Sequence, residues 1–208
     1  KMMLLELFAG SCSFSDEAKR FGFNTITVDN GEAFEDEEAF NKIDYIENIL
    51  LFNPKDLPPI DVVWASPPCK YFSVSSIGHH WNKDHTPKTK EAILGVKLVR
   101  KTIAIIDYLG PKYWFIENPR GKLRKLDIMK DLPRKTVTYC QYGEDRMKPT
   151  DIWTNAKIWQ PRSTCKKGAD CHVSAPRGSR TGTQGMANSF EKAKIPKELC
   201  TEILVSIL

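Results

Sequence analysis

The stretch that decides the fold is MLLELFAGSCSFSDEAKRF, residues 3–21. Its first part, 3–8, is a short apolar run that predicts a buried strand, and a glycine soon afterwards ends it. The run 13–21 then predicts a helix, with Ser13 or Ser15 available to cap its first turn. A strand followed at once by a helix is the beginning of an α/β unit.

The same alternation continues through the first two-thirds of the chain. Further strands are predicted at 25–28, 43–46, 61–65 and 113–116. The clearest helix is 89–109, in which apolar residues recur at helical spacing. Two more strands, 136–139 and 152–154, precede a polar segment at 160–190, and 196–208 predicts a closing amphipathic helix. Strands that alternate with helices predict an α/β fold with a mostly parallel central sheet flanked by helices.

The composition is that of an ordinary globular protein, with 208 residues of which 41% are hydrophobic and 27% charged. This length fits one domain with a small appendage. No apolar run approaches the length needed to span a membrane, and no signal-peptide pattern opens the chain, so we expect a cytoplasmic protein. The net charge is +5, and Lys and Arg are concentrated between 157 and 197, where they can face phosphates.

The cysteines point to free thiols. There are six of them, Cys12, Cys69, Cys140, Cys165, Cys171 and Cys200. In a chain of this length without a secretion signal, disulfides are not expected, and one thiol can be catalytic. Cys165, Cys171 and His172 raise the question of zinc, but their spacing matches no standard pair, and a fourth ligand is missing unless the distant Cys140 joins. The sequence therefore predicts no metal site.

Ligands of open α/β sheets bind beyond the carboxyl ends of the strands, so the residues after each predicted strand form the candidate site. They are Phe8, Ala9, Gly10, Ser11, Cys12, Ser13, Asp29, Asn30, Asn48, Ile49, Ser66, Pro67, Pro68, Cys69, Glu117, Asn118 and Pro119. Gly10 lets the backbone approach a ligand closely, and the helix after it offers free N–H groups. A single glycine matches neither a dinucleotide fingerprint nor a phosphate-binding loop. We expect these segments to converge on one cleft for another kind of ligand.

Five side chains have chemistry that suits catalysis or binding, and each also has a plainer interpretation. Two prolines fix the backbone before Cys69, which suits a nucleophile or an ordinary turn. Glu117 leaves an apolar strand and can hold a proton, or only form a turn. Asp29 can accept both hydroxyls of a ribose or be a surface carboxylate. Arg146 and Lys148 can hold an oxygen or a phosphate, or form a solvated basic turn.

The order and spacing of these residues resemble the cytosine-C5 DNA methyltransferase family. The corresponding motifs are Leu7-Phe8-Ala9-Gly10, Asp29, Asn48-Ile49, Pro67-Pro68-Cys69 with Phe72-Ser73, Glu117-Asn118, Arg146-x-Lys148 and Ala193-Lys194-Ile195-Pro196. The resemblance spans nearly the whole chain. It implies the Rossmann-like class I fold of S-adenosyl-L-methionine-dependent methyltransferases, with S-adenosyl-L-methionine as the cofactor.

The resemblance also implies a role for each motif. Cys69 is the expected nucleophile that attacks carbon 6 of cytosine, and Glu117 is expected to bind N3 and the exocyclic amine. Arg146 is expected at the base or its loop, and Lys148 at a backbone phosphate. Cofactor contacts are expected from Phe8, Ala9, Gly10, Ser11, Cys12, Ser13, Asp29, Asn30, Asn48, Ile49 and Pro67. The expected partner is duplex DNA with a flipped cytosine, bound by a monomer with a mobile loop at 70–87.

The chain departs from the family pattern in several places. Lys70, which can favour the thiolate of its neighbour, stands where Gln is usual, Asn48 where Asp is usual, and Pro119 where Val is usual. The largest departure is size, because only 155–190 is left for target recognition, as expected of a compact enzyme from a phage or its bacterial host. Residues of this minimal insert that suit phosphate and base contacts are Arg162, Lys166, Lys167, Arg177, Arg180, Thr181 and Gln184.

These observations predict three parts, a catalytic core at 1–154, a recognition insert at 155–190, and a C-terminal helix at 191–208 that packs back on the core. The short insert leaves RNA or a free cytosine nucleotide open as alternative substrates. A nucleic-acid-binding module without turnover is a further alternative. So is transfer of a different one-carbon group or a carboxymethyl group from a modified cofactor, if Lys70 or Lys148 lies near the sulfonium.

Overall fold

The computed structural model describes residues 1–174 and 188–208. One seven-stranded sheet runs through it in the order β3-β2-β1-β4-β5-β7-β6. The strands are β1 (Met3–Leu7), β2 (Asn24–Asp29), β3 (Tyr45–Ile46), β4 (Val62–Ala65), β5 (Tyr113–Pro119), β6 (Arg134–Thr138) and β7 (Pro149–Thr154). Every pair from β3 to β5 is parallel, and β7 is antiparallel to both its neighbours. This arrangement confirms the predicted α/β fold with a mostly parallel sheet.

Four of the six described helices lie in connections between parallel strands, and the last two follow the final strand. They are α1 (Ser13–Arg20), α2 (Glu37–Asn41), α3 (Ile77–His80), α4 (Lys90–Leu109), α5 (Ser189–Lys192) and α6 (Lys197–Ile207). Short 3-10 turns lie at Pro54–Asp56, Cys69–Tyr71, Val74–Ser76, Lys122–Lys125 and Tyr139–Tyr142. Within the two described ranges, no helix combines the length and apolar character needed to cross a lipid bilayer.

Two apolar cores cover the sheet. Successive strand residues point to opposite faces, so Leu5 belongs to a core that contains α4, whereas Leu4 belongs to one that contains α1 and α6. In the second core the indole of Trp64 stacks on Phe14, with ring centroids 4.2 Å apart, and on Phe115 at 5.8 Å. Burial of such large aromatic rings fixes α1 against the centre of the sheet.

The helix after β1 is capped from the strand and not from its own serines. The N-cap of α1 is Cys12, which makes no side-chain capping bond, so the predicted caps Ser13 and Ser15 are wrong. Instead, a carboxylate oxygen of Glu6 accepts the backbone N–H of Ser15 at 2.8 Å, and the Ser15 hydroxyl also donates to it. Burial raises the pKa of Glu6 to about 7. A carboxyl group in the middle of β1 thus holds the first turn of α1 in place.

Several other predicted elements differ from the structure in extent or content. β5 continues through Pro119, because β7 pairs with its last residues and places Ile152 opposite Glu117. The third strand is reduced to Tyr45–Ile46. The segment 70–87, expected to be a mobile loop, contains two 3-10 turns and α3, and its Trp81 is buried and donates its indole N–H to a backbone carbonyl.

Two glycines outside the turn after β4, Gly95 and Gly121, pack closely against it. A Cβ at Gly95 of α4 would lie 3.0 Å from the rings of Tyr71 and Phe72. A Cβ at Gly121 would overlap the carbonyl oxygen of Phe72, which also accepts the backbone N–H of Lys122 at 2.8 Å. The segment that follows Pro68 is therefore held by close backbone packing to α4 and to the chain after β5.

We predict that Gly121→Ala destabilises the protein by about 2 kcal/mol, because its methyl group must displace a backbone carbonyl that cannot rotate away. Urea unfolding followed by circular dichroism measures the change. Gly78→Ala is the matched control, since a Cβ there meets no atom within 4 Å. Equal stability of the two variants would show that the close packing at Gly121 does not hold this turn.

We predict that Glu6→Gln changes how stability depends on pH. Because the folded pKa of about 7 lies above the ordinary value of 4.5, the folded state binds the proton more tightly than the unfolded state. The stability that this group contributes is present below pH 4.5 and is lost as pH rises towards 7, by about 3 kcal/mol in total. Glu6→Gln should therefore gain stability relative to wild type as pH rises.

The measurement is the free energy of unfolding of wild type and Glu6→Gln at a series of pH values from 4.5 to 8. Glu37→Gln serves as the control, because Glu37 is an exposed acidic residue in α2. A difference between wild type and Glu6→Gln that stays constant over this range would contradict the assignment.

Candidate active site

The loops after four neighbouring parallel strands meet at the carboxyl ends of those strands. The register pairs Leu7 with Val28 on one side and with Ala65 on the other, and Ala65 with Ile116. Since these strands are parallel, the segments that follow them leave the sheet at the same level. The predicted site residues that follow β1, β2, β4 and β5 are therefore neighbours at the carboxyl ends of these strands.

The loop after β1 winds through left-handed backbone at alternate residues. Phe8, Gly10 and Cys12 have φ angles of 56°, 53° and 60°, of which only the one at glycine is free of steric cost. Asp29 at the end of β2 holds this loop, since its Oδ2 accepts the N–H of Gly10 at 2.9 Å and its Oδ1 that of Gly31 at 2.8 Å. Each carboxylate oxygen keeps a further lone pair for a ligand hydroxyl.

The next residues of this loop are tied to the C-terminal part of the chain. The hydroxyls of Ser11 and Ser13 lie 2.9 Å apart, and the Ser13 hydroxyl accepts the backbone N–H of Ile195 at 3.2 Å. Ala9 and Cys12 are buried together in a small apolar cluster. Burial raises the pKa of the Cys12 thiol to about 12, so this thiol is protonated at neutral pH.

The two amides and Ile49 are placed differently from one another. Asn30 accepts the backbone N–H of Glu32 with its side-chain oxygen at 3.1 Å, and Asn48 accepts that of Leu50 at 3.0 Å. Both amides thus keep their NH₂ groups for other partners. The side chain of Ile49 is buried in the core that contains α4.

Cys69 lies at the start of a 3-10 turn beside the end of β5. The side-chain NH₂ of Asn118 donates to the carbonyl oxygen of Pro67 at 2.8 Å, which fixes the turn to β5. The carboxamide oxygen of Asn118 is buried, and among the described residues it has no hydrogen-bond partner. Stiff presentation of a thiol beside a neighbouring strand suits a nucleophile.

The Cys69 thiol is surrounded by charged groups of both signs. It is exposed at the surface of the turn, yet the protein around it displaces water, and this desolvation raises the pKa of the thiol above its ordinary value. The positive charges of Lys148 and Lys192 lower that pKa, and Glu117 raises it. The predicted influence of Lys70 is replaced by that of Lys148, because the Lys70 ammonium lies over the Tyr71 ring, 5.1 Å from its centroid.

Glu117 is buried and hydrogen-bonded from two directions. The Tyr139 hydroxyl donates to its Oε1 at 3.2 Å, and the Ser66 hydroxyl is a second partner. Desolvation raises the pKa of Glu117, while the positive charge of Lys148 is the largest influence that lowers it. This carboxyl group can therefore keep a proton at higher pH than an exposed glutamate.

Of the basic residues after Tyr142, Arg146 is buried and Lys148 half-buried, and both are held by groups that the sequence did not indicate. Lys148, with a left-handed φ of 32°, donates to the carbonyl oxygen of Lys192 at 2.6 Å, and burial lowers the pKa of its ammonium. The guanidinium of Arg146 contacts Glu144 at 2.6 Å and the same Lys192 carbonyl at 3.3 Å. Sequence reasoning missed Glu144 and Lys192, because ordinary charged residues without a motif give no signal of such contacts.

The recognition insert is described only in part. Arg162 pairs with Glu198 of α6 at 2.8 Å and donates to the carbonyl oxygen of Gln141 at 2.6 Å. Lys166 and Lys167 lie exposed in the described part. The remaining predicted contacts, Arg177, Arg180, Thr181 and Gln184, fall outside the described residues.

The structure changes the sequence argument about a metal site. Cys140 lies next to Cys165, Cys171 and His172, so the distant fourth ligand is present, and the reason for predicting no metal site is removed. The sheet brings this about, because Cys140 follows β6 directly and the polar segment folds back against that turn.

Comparisons with known proteins identify the family and the fold of the chain. A family model described as C-5 cytosine-specific DNA methylase matches residues 2–134. A Frog virus 3 (isolate Goorha) protein named "Probable DNA (cytosine-5)-methyltransferase" is 31% identical over 225 residues, which cover 98% of this chain and 99% of that protein. Type II methyltransferase M.DdeI from Desulfomicrobium norvegicum is 28% identical over 143 residues, 63% of this chain and 32% of that protein.

A solved structure supports the fold. That of the Entamoeba histolytica methyltransferase EhMeth matches with a TM-score of 0.55 at 16% identity, over 78% of this chain and 55% of that one. The chain thus spans about half of that structure, and the match confirms the Rossmann-like class I methyltransferase fold. With the family match over residues 2–134 and the viral relative along nearly its whole length, the chain belongs to the C-5 cytosine-specific DNA methylase family.

Proposed function

We propose that this enzyme transfers a methyl group from S-adenosyl-L-methionine to carbon 5 of cytosine in duplex DNA, through a covalent bond between Cys69 and carbon 6. The observation that carries the proposal is the electrostatic coupling of Cys69, Glu117 and Lys148 at the carboxyl ends of β4 and β5. A thiol, a buried carboxyl that can keep a proton, and an ammonium are the groups that this chemistry requires.

The proposed reaction begins with the thiolate of Cys69, which bonds to carbon 6 of the cytosine ring. Electrons of the 5,6 double bond move into the ring, and carbon 5 becomes nucleophilic. S-adenosyl-L-methionine supplies the electrophilic methyl group when bound. Carbon 5 takes this methyl group as the bond between the methyl carbon and the sulfonium sulfur breaks. Loss of the proton from carbon 5 then restores the double bond and releases the thiolate of Cys69. No described residue is assigned as the base for that proton, and water can accept it.

Glu117 and Lys148 act on the charge that moves through the ring. A protonated Glu117 donates to N3, which accepts electron density when carbon 6 is attacked, and Tyr139 holds the carboxyl in position. The ammonium of Lys148 favours the thiolate form of Cys69. Arg146 supports this arrangement, since it holds the same Lys192 carbonyl as Lys148. We therefore propose Arg146 as a residue that positions Lys148, with contact to the base as its second role.

The donor set after β1 and β2 fits the cofactor. The carboxylate of Asp29 keeps lone pairs for two ribose hydroxyls, and the left-handed loop brings backbone close to a ligand. Asn48 presents NH₂ rather than oxygen, because its oxygen already accepts a backbone N–H, so it would donate to an adenine ring nitrogen. The remaining proposed contacts come from Phe8, Ala9, Gly10, Ser11, Cys12, Ser13, Asn30, Ile49 and Pro67.

A cytosine stacked in duplex DNA cannot reach the Cys69 thiol at the end of β4, so we propose that the base is flipped out of the DNA duplex. The catalytic groups all come from one chain, which supports action as a monomer. The basic residues Lys166 and Lys167 of the insert are exposed and suited to phosphate contacts.

We predict that the wild type transfers tritium from labelled S-adenosyl-L-methionine to carbon 5 of cytosine in duplex DNA, and that Cys69→Ala lowers this transfer by at least about 10³-fold. Cofactor binding, measured for both proteins, is expected to be equal, because Cys69 is not among the proposed cofactor contacts. Labelled RNA and dCTP in the same assay test the alternative substrates.

Each outcome of that assay has a separate meaning. Transfer by Cys69→Ala at the wild-type rate would contradict the covalent mechanism through Cys69 but support the methyl-transfer reaction. Transfer to RNA or dCTP in preference to DNA would replace the substrate. A wild type that binds the cofactor and labels none of the three would be an inert binding module.

We also predict that Lys148→Met makes Cys69 less reactive. Because the positive charge of Lys148 lowers the pKa of the thiol, its removal should shift the pH profile of iodoacetamide alkylation at Cys69 towards alkaline pH. Mass spectrometry of the modified peptide measures the rate. Lys148→Arg, which keeps the charge, should retain most of the wild-type profile.

Lys70→Met is the matched control for that experiment, since Lys70 is adjacent in sequence and exposed. Its alkylation profile should follow the wild type. A shift for Lys70→Met with none for Lys148→Met would show that Lys70, and not Lys148, lowers the pKa of the Cys69 thiol.

A further inference from the structure

Three thiols and one imidazole meet beside the 3-10 turn that follows β6. We call Cys140, Cys165, Cys171 and His172 the cysteine-histidine cluster. Their ligand atoms all lie within 4.8 Å of one another. The Sγ atoms of Cys140 and Cys165 are 3.1 Å apart, those of Cys140 and Cys171 are 3.4 Å apart, and Nδ1 of His172 lies 3.6 Å from the Sγ atoms of both Cys165 and Cys171.

These separations match the edges of a tetrahedral metal site. With metal–sulfur and metal–nitrogen bonds of about 2.3 and 2.05 Å, a tetrahedral zinc site has sulfur–nitrogen edges of about 3.6 Å and sulfur–sulfur edges of about 3.8 Å. The two sulfur–nitrogen distances have this value, and the sulfur–sulfur distances of 3.1 and 3.4 Å are shorter than the ideal edge. A disulfide needs about 2.05 Å and joins only two thiols, so it leaves the third thiol and the imidazole unexplained.

We propose that Cys140, Cys165, Cys171 and His172 bind one zinc ion in a closed, structural site. Three thiolates and an imidazole are soft and borderline ligands that suit zinc, and four protein ligands leave no open position for catalysis. The proposal does not depend on the proposed function, because none of the four residues belongs to the catalytic or cofactor groups.

The surroundings orient the ligands. The side-chain NH₂ of Gln141 donates to the Sγ of Cys171 at 3.3 Å, and the hydroxyl of Thr138 accepts the backbone N–H of Cys165 at 3.0 Å. Gly168, with a φ of 85°, makes the tight turn between Cys165 and Cys171. Such contacts around the ligands are typical of built metal sites.

Little apolar packing holds the segment that supplies three of the ligands. From 161 to 174 no residue is buried, and Val173 is 65% exposed, so apolar packing does not fix this segment. A metal bound to both this segment and Cys140 would supply the missing stabilisation. Because Cys140 is adjacent to Tyr139, which contacts Glu117, the same ion would hold the insert against the wall of the active site.

The test is the zinc content of the full chain purified under reducing conditions in medium with zinc, measured by mass spectrometry of the metal after removal of loosely bound ions. We expect about one zinc per chain in the wild type. Cys140→Ser, Cys165→Ser, Cys171→Ser and His172→Ala should each lose most of the bound metal. Cobalt exchanged into the wild type should give the visible absorption of a tetrahedral thiolate site, and the Cys165→Ser protein should lack it.

Cys69→Ala is the matched control, because it removes an exposed thiol outside the cluster. It should keep one zinc per chain while it loses methyl transfer, which separates this proposal from the proposed function. A wild type without zinc and with all cluster thiols free would overturn the proposal, as would a disulfide between Cys140 and Cys165. Zinc that persists in all four cluster variants would place the ion elsewhere.

Discussion

The hydrogen bond from Asn118 to the carbonyl oxygen of Pro67 links the two strand ends on which the active site depends. One of these ends carries Cys69 and the other Glu117, and the strands are hydrogen-bonded neighbours. The hydrogen bond from Lys122 to the carbonyl oxygen of Phe72 holds the far side of the same turn. The positions of the thiol and the carboxyl therefore follow from the pairing of two neighbouring parallel strands.

Burial pushes the ionisable groups of this site in one direction. It raises the pKa values of Cys69 and Glu117 and lowers that of Lys148, so each group is shifted towards its neutral form. The positive charge of Lys148 opposes the shifts at Cys69 and Glu117, whereas the negative charge of Glu117 adds to the shift at Cys69. In the proposed reaction, the thiolate of Cys69 therefore depends on the nearby positive charges.

Local patterns predicted the strands, α4, the fold class and the order of the motifs, because apolar periodicity and strand ends are properties of short segments. They did not predict the cap of α1 by Glu6, since a capping acceptor from a strand has no sequence signal. Nor did they predict the extension of β5 or the meeting of Cys140 with His172. Each of these depends on segments far apart in sequence, which only the assembled sheet brings together.

The two edges of the sheet have a consequence for association between copies of the chain. An unpaired edge strand can template intermolecular β-pairing, and long apolar edges are the most dangerous. Here one edge is β3, which has only two residues, and the other is β6, which begins with Arg134 and Lys135. A short strand and a pair of cations are poor templates, so this protein is protected against strand-by-strand aggregation at both sides.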